Sequence, residues 1–178
     1  DAVKPEEIWL YRIGKYSIIA IMFYFFFRMV IKHSLWCVLD GANYAFHEFG
    51  HVFFNFFGET LGFLGGTIMQ LLIPFVLIFY FLVKKKFLSS SFSLFWFGEN
   101  FLYISNYIAS ANPNELPAVD STGRIHDWDF LLSIWGVINY HQTIADFVFY
   151  IGTVIIIFSI TWAFFIKPRK IFKENYEY

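Results

Sequence analysis

Apolar residues run through this chain in blocks too continuous for the outer helices of a water-soluble fold. Residues 16–31, 66–83 and 143–166 are predominantly apolar, while 35–57 and 92–109 are apolar with a few polar positions set into them. A helix that faces water shows polar side chains every three or four residues, and these segments do not keep that period. About 20 apolar residues in helical form cross the hydrocarbon of a bilayer. The pattern predicts an all-α integral membrane protein, a compact bundle of about five transmembrane helices. Lys84-Lys85-Lys86 stops the third segment and Lys167-Pro168-Arg169-Lys170 stops the fifth. The first can start earlier if Arg12 and Lys15 snorkel toward the interface. Gly62-Phe63-Leu64-Gly65-Gly66 reads as a tight loop between the second and third. The polar stretch Asn112–Arg124 then leads into His126-Asp127-Trp128-Asp129, so residues 111–137 are expected to form an outer loop with a short interfacial helix. Residues 1–178 are expected to be one transmembrane domain.

Composition supports this reading. With 58% hydrophobic and only 15% charged residues, and 26 phenylalanines among 178, the chain lacks the polar surface a soluble domain requires. Mean hydropathy is +0.54. A net charge of -1 and no basic stripe argue against a nucleic-acid partner. The single cysteine, Cys37, allows neither an intrachain disulfide nor a cysteine zinc cluster. The chain opens on Asp1 rather than methionine, which is consistent with a leader removed upstream.

Charge then sorts the two faces. If all five segments cross, Arg28, Lys32, Lys84–Lys86 and the Lys167–Lys173 cluster share one face, while Lys4, Arg12, Lys15 and Arg124 share the other. The richer face is the cytoplasmic one, which puts the C-terminus inside. The first two segments would instead form a hairpin if Arg28 and Lys32 interrupt the first.

The candidate chemistry lies in the second segment, where His47-Glu48-Phe49-Gly50-His51 matches H-E-x-x-H. Four residues apart on a helix, both imidazoles reach one metal, and the intervening glutamate can take a proton from water activated there. A pair of core histidines bonded to nearby carbonyls is the plainer alternative, but ionisable groups inside a bilayer are costly and functional by default. A catalytic zinc site needs a third protein ligand. His126 is the first choice and Asp127 the alternative; Asp129, Glu99 and Glu59 are further candidates. Gln70 and Asn106, polar positions within apolar segments, either hydrogen-bond across helices or hold a substrate backbone near the metal.

The H-E-x-x-H helix followed by Gly65, Gly66, Gln70 and Pro74 in a Gly-Gly-x-x-x-Gln-x-x-x-Pro segment resembles the site-2 protease type of intramembrane zinc metalloprotease. The resemblance spans about residues 40 to 135. It implies zinc as cofactor, His47 and His51 as ligands, Glu48 as catalytic base, and a membrane-protein or peptide substrate. The chain departs from the family at the third ligand. Those proteases take an aspartate from a later Asp-Gly motif, whereas the Asp-Gly here, Asp40-Gly41, precedes the histidines. Two other readings remain open: a non-catalytic subunit of a membrane complex with a structural or vestigial metal site, and a lipid-amide hydrolase using the same zinc chemistry.

Overall fold

A computed structural model describes residues 5–34, 37–113 and 126–167. Among them the chain is all-helical, with no strand. The helices are α1 (Pro5–Phe26, continued by a wider π turn over Phe27–Ile31), α2 (Asp40–Phe54), α3 (Glu59–Val83), α4 (Phe87–Ala109), α5 (Asp127–Ile134) and α6 (His141–Phe165). Three stretches, Ile8–Ile31, Glu59–Val83 and Ile138–Phe165, are long and apolar enough to cross a membrane. The second and fourth predicted spans differ from these. Helix α2 has 15 residues, about 22 Å at 1.5 Å per residue, short of the hydrocarbon thickness. Helix α4 is long, but its polar positions, among them Ser90, Ser91, Ser93, Glu99 and Asn100, are buried inside the bundle.

Helix α4 is the centre of the molecule, with α3 against one side and α6 running antiparallel along another. Lipid tails are as apolar as leucine side chains, so close packing and interhelical hydrogen bonds hold such helices together. The α4–α6 contact uses small residues for this. A Cβ on Gly98 would lie 2.9 Å from Ile155 and Ile156, and one on Gly152 would lie 2.7 Å from the Gly98 carbonyl. Ser91 Oγ donates to the Ser159 carbonyl at 2.7 Å, and Ser90 Oγ donates to Ile78 of α3 at 2.9 Å. Each such bond contributes about 0.6 to 2 kcal/mol.

Two expectations are corrected by this packing. The Gly62–Gly66 segment is not a loop: it forms the second turn of α3, and the chain reverses at Gly58, whose φ of 107° suits glycine. The glycines of α3 serve close approach instead of chain reversal. A Cβ on Gly65 would lie 2.6 Å from Phe54 and 2.7 Å from the Gly50 carbonyl, so α2 and α3 cross almost backbone to backbone.

The second correction concerns charge. Lys15 is buried and donates through Nζ to the carbonyls of Phe164 and Ile166, at 2.6 and 2.7 Å. It caps the free carbonyls at the C-terminal end of α6. Lys15 therefore shares an end of the bundle with Lys167 and the Lys84–Lys86 turn, not the opposite end. The far end of α1 reaches Phe149, against which His33 stacks. Helix α2 then starts level with the middle of α4, where Asn43 meets Trp96 and Glu99.

Cysteines replacing Lys15 and Ile166, in a Cys37→Ser background, should be joined efficiently by a short bis-maleimide. No cross-linked product above that of a Lys32/Ile166 pair would refute this arrangement of α1.

Candidate metal centre

The polar positions of α2 fall on one stripe. Asn43 and His47 are four apart and His51 follows one turn later, so all three face α3 and α4. Asn43 and His47 are buried and His51 is half-buried. Asn43 ties the base of the stripe to α4: its Nδ2 donates to Glu99 at 2.8 Å, and its Oδ1 accepts from Trp96 Nε1 at 2.7 Å. The Asp40 carboxyl, at the start of α2, lies near Glu99. Glu99 therefore anchors the start of α2, away from the histidines.

Asp127 completes the group above. Its Oδ2 lies 2.9 Å from His47 Nε2 and 3.2 Å from His51 Nε2. The three side chains offer ligand atoms that all lie within 4.8 Å of one another. The far side of each ring is also held. His51 Nδ1 is 2.8 Å from the Gly62 carbonyl and His47 Nδ1 is 3.1 Å from Gln70 Oε1. A backbone carbonyl can only accept, so His51 Nδ1 must carry a proton and donate it. That leaves Nε2 of the neutral ring with a lone pair aimed at a carboxylate oxygen. Two imidazoles turned this way onto one oxygen need a positive centre among them, either protons or a metal ion. Tetrahedral bonds of 2.0–2.1 Å would separate ligand atoms by about 3.3 Å, close to the two spacings between Asp127 and the histidines.

Burial alone would raise the Asp127 carboxyl, but hydrogen bonds to His47 and His51 outweigh it and hold the group down at about 2. Tyr107 of α4 approaches the same oxygen, with its hydroxyl 3.3 Å away. Gly66 supplies the wall behind His47: a Cβ there would lie 2.6 Å from the ring.

The other candidates are placed elsewhere. His126, the first choice for third ligand, is not brought to the pair. It caps α5, with Nδ1 accepting from Asp129 N at 3.3 Å and Nε2 lying 3.0 Å from Ser110 Oγ. Asp127, the alternative, is the one that meets the histidines. Asp129 accepts from Asn112 N at 2.8 Å. Glu59 is exposed on the rim. Gln70 supports His47, so the cross-helix role is the one it fills. Tyr107 and the Gly62 carbonyl were not singled out in the sequence: one tyrosine among 11 carries no signal, and a carbonyl carries none at all.

The group opens onto a cleft of about 1000 Å³. Helix α2 lines it with Tyr44, Glu48 and Val52, and helix α4 lines it with Tyr103, Asn106 and Tyr107. Glu48, half-buried beside His47, thus lines the same space as His47, His51 and Asp127. No family model, curated protein or solved structure matches the chain.

Gly66→Val should push His47 off its wall and lower thermal stability by about 1–3 kcal/mol, the usual cost of overpacking. Gly41→Ala, where nothing lies within 4 Å of the added carbon, serves as the control in a melt of purified protein. Equal melting of the two variants would contradict the packing described.

Proposed function

We propose that the protein is a zinc-dependent intramembrane hydrolase acting on peptide bonds, with His47, His51 and Asp127 holding the metal and Glu48 as general base. The observation that carries this reading is the aim of both histidine Nε2 atoms at one Asp127 oxygen, with at least the His51 ring turned by a carbonyl that can only accept. The donor set of two nitrogens and one carboxylate oxygen fits zinc in a catalytic site, which keeps a position open. A bound zinc would supply Lewis-acid polarisation of a carbonyl and a water that loses its proton near neutrality. The chain's own residues do the rest. Gln70 and the Gly62 carbonyl fix the rings, Asp127 balances charge, and Glu48 holds the proton taken from water and returns it to the leaving amine. Asp127 follows the Gly-Gly-x-x-x-Gln segment, as the aspartate ligand does in the site-2 protease pattern, although within Asp-Trp instead of Asp-Gly. That order supports a peptidase of this general kind.

We take the chain to be multi-pass, with the end that carries Lys15, Lys84–Lys86 and Lys167 in the cytoplasm and the mouth of the cleft at the other end. The rule that cytoplasmic ends are rich in Lys and Arg supports this orientation. Cysteine at position 85 should react with a membrane-impermeant maleimide only after cells are opened, and cysteine at position 112 should react in intact cells. The reverse pattern would refute the orientation.

The hydrolase reading is tested on purified protein supplied with zinc and a casein-derived peptide mixture, with products read by mass spectrometry. Glu48→Gln should keep zinc and lose turnover by on the order of a hundredfold or more, because an amide cannot take the proton. Asp127→Ala should lower zinc affinity by about a hundredfold, and His126→Ala should change it little. Undiminished turnover in Glu48→Gln would rule out the hydrolase reading. Retained zinc without turnover in the wild type would favour the subunit of a membrane complex.

A further inference from the structure

The helical architecture creates a difficulty for any peptide reaching this cleft. A helix hides its carbonyls in its own hydrogen bonds, so a peptide must be extended to present one for attack. An extended peptide then exposes N–H and C=O groups, and leaving them without partners away from water costs several kcal/mol each. Many proteins solve this with the free edge of a sheet. Among the described residues there is no strand to offer one, so side chains must supply the partners.

Asn106 has the attributes needed. It lies on α4 next to Tyr107, whose hydroxyl touches Asp127, and it lines the cleft with Tyr103 and Ser110, one turn to either side. It is exposed, and its side-chain amide has no hydrogen-bond partner among the described residues. Two of the other amides near the site are engaged within the fold, while a third, Asn55, lines the cleft at the end of α2. Gln70 holds His47, and Asn43 joins Trp96 to Glu99. Exposed in the cleft and not committed to the fold, this amide stays available to a ligand. A carboxamide also carries a donor and an acceptor side by side, so it can bond the N–H and C=O of one extended backbone together.

We propose that Asn106 is a substrate-binding residue that holds the main chain of an extended peptide beside the metal. This rests on the hydrolase reading, and it commits the cleft to a peptide over a lipid amide, which lacks the repeating N–H and C=O groups that would engage it.

The test uses the full chain in detergent, loaded with zinc, and two probes measured by titration calorimetry. Acetohydroxamate reports the metal alone; a tripeptidyl hydroxamate adds a backbone. Asn106→Leu, close in volume but without polar atoms, should weaken the tripeptidyl probe about tenfold, the equivalent of one to two hydrogen bonds. Acetohydroxamate should bind as in the wild type. Asn106→Ala should behave as the leucine variant does, which separates the lost amide from crowding by leucine. Unchanged affinity of both variants for both probes would overturn the assignment and favour a lipid substrate. Loss of acetohydroxamate in both variants would also overturn it, because the side chain would then be supporting the metal site. Failure of the wild type to bind either probe would overturn the hydrolase reading itself, a pattern distinct from the other two.

Discussion

Everything at the proposed site depends on one carboxylate oxygen shared by two imidazoles inside a helical bundle. Asp127 Oδ2 lies within 3.2 Å of both His47 and His51. This joins helix α5, at one end of the chain's long polar connection, to helix α2. Such a junction is stable only when charge is balanced and the remaining ring nitrogens are satisfied. The glycines of α3 make that possible. Gly65 and Gly66 let α2 approach until His47 rests against the α3 backbone, and the same turns present the Gly62 carbonyl and Gln70 to the rings. A larger residue at Gly66 would occupy the place of the imidazole. The close crossing and the polar site are therefore one design.

Helix α4 carries the other half of the arrangement. Its middle is pinned to the start of α2 through Asn43, Trp96 and Glu99. Beyond that contact the two helices line opposite walls of the cleft, with α3 behind them. The polar content that keeps α4 from reading as a simple span has two uses. Ser90 and Ser91 bond to neighbouring helices, whereas Tyr103, Asn106 and Tyr107 face the cleft. A helix of this kind is held by packing on several sides, not by lipid, which accounts for its buried polar residues.

The parts of this fold legible in the sequence are those that depend on local spacing. The i, i+4 histidines of α2 declared themselves, as did the lysine stops after α3 and α6 and the short helix beginning at Asp127. What the sequence hid were relations between distant segments. Gly62–Gly66 looked like a turn because glycine permits both turns and close crossings, and only the partner helix decides between them. Lys15 looked like a charge facing water, but it caps carbonyls 149 and 151 residues away. His126 and Asp127 are neighbours in sequence, but of the two it is Asp127 that meets the histidine pair. The choice between them lay in the cap geometry of α5, one residue of helical phase that no motif records.

The central claim, that His47, His51 and Asp127 form a metal centre, is tested most directly by zinc K-edge X-ray absorption on the purified wild-type protein. The expected result is one zinc per chain, surrounded by nitrogen and oxygen at about 2.0–2.1 Å, with multiple scattering from two imidazoles. Zinc bound through sulfur, a shell with a third imidazole, or protein prepared without chelator that holds no zinc at all would contradict it.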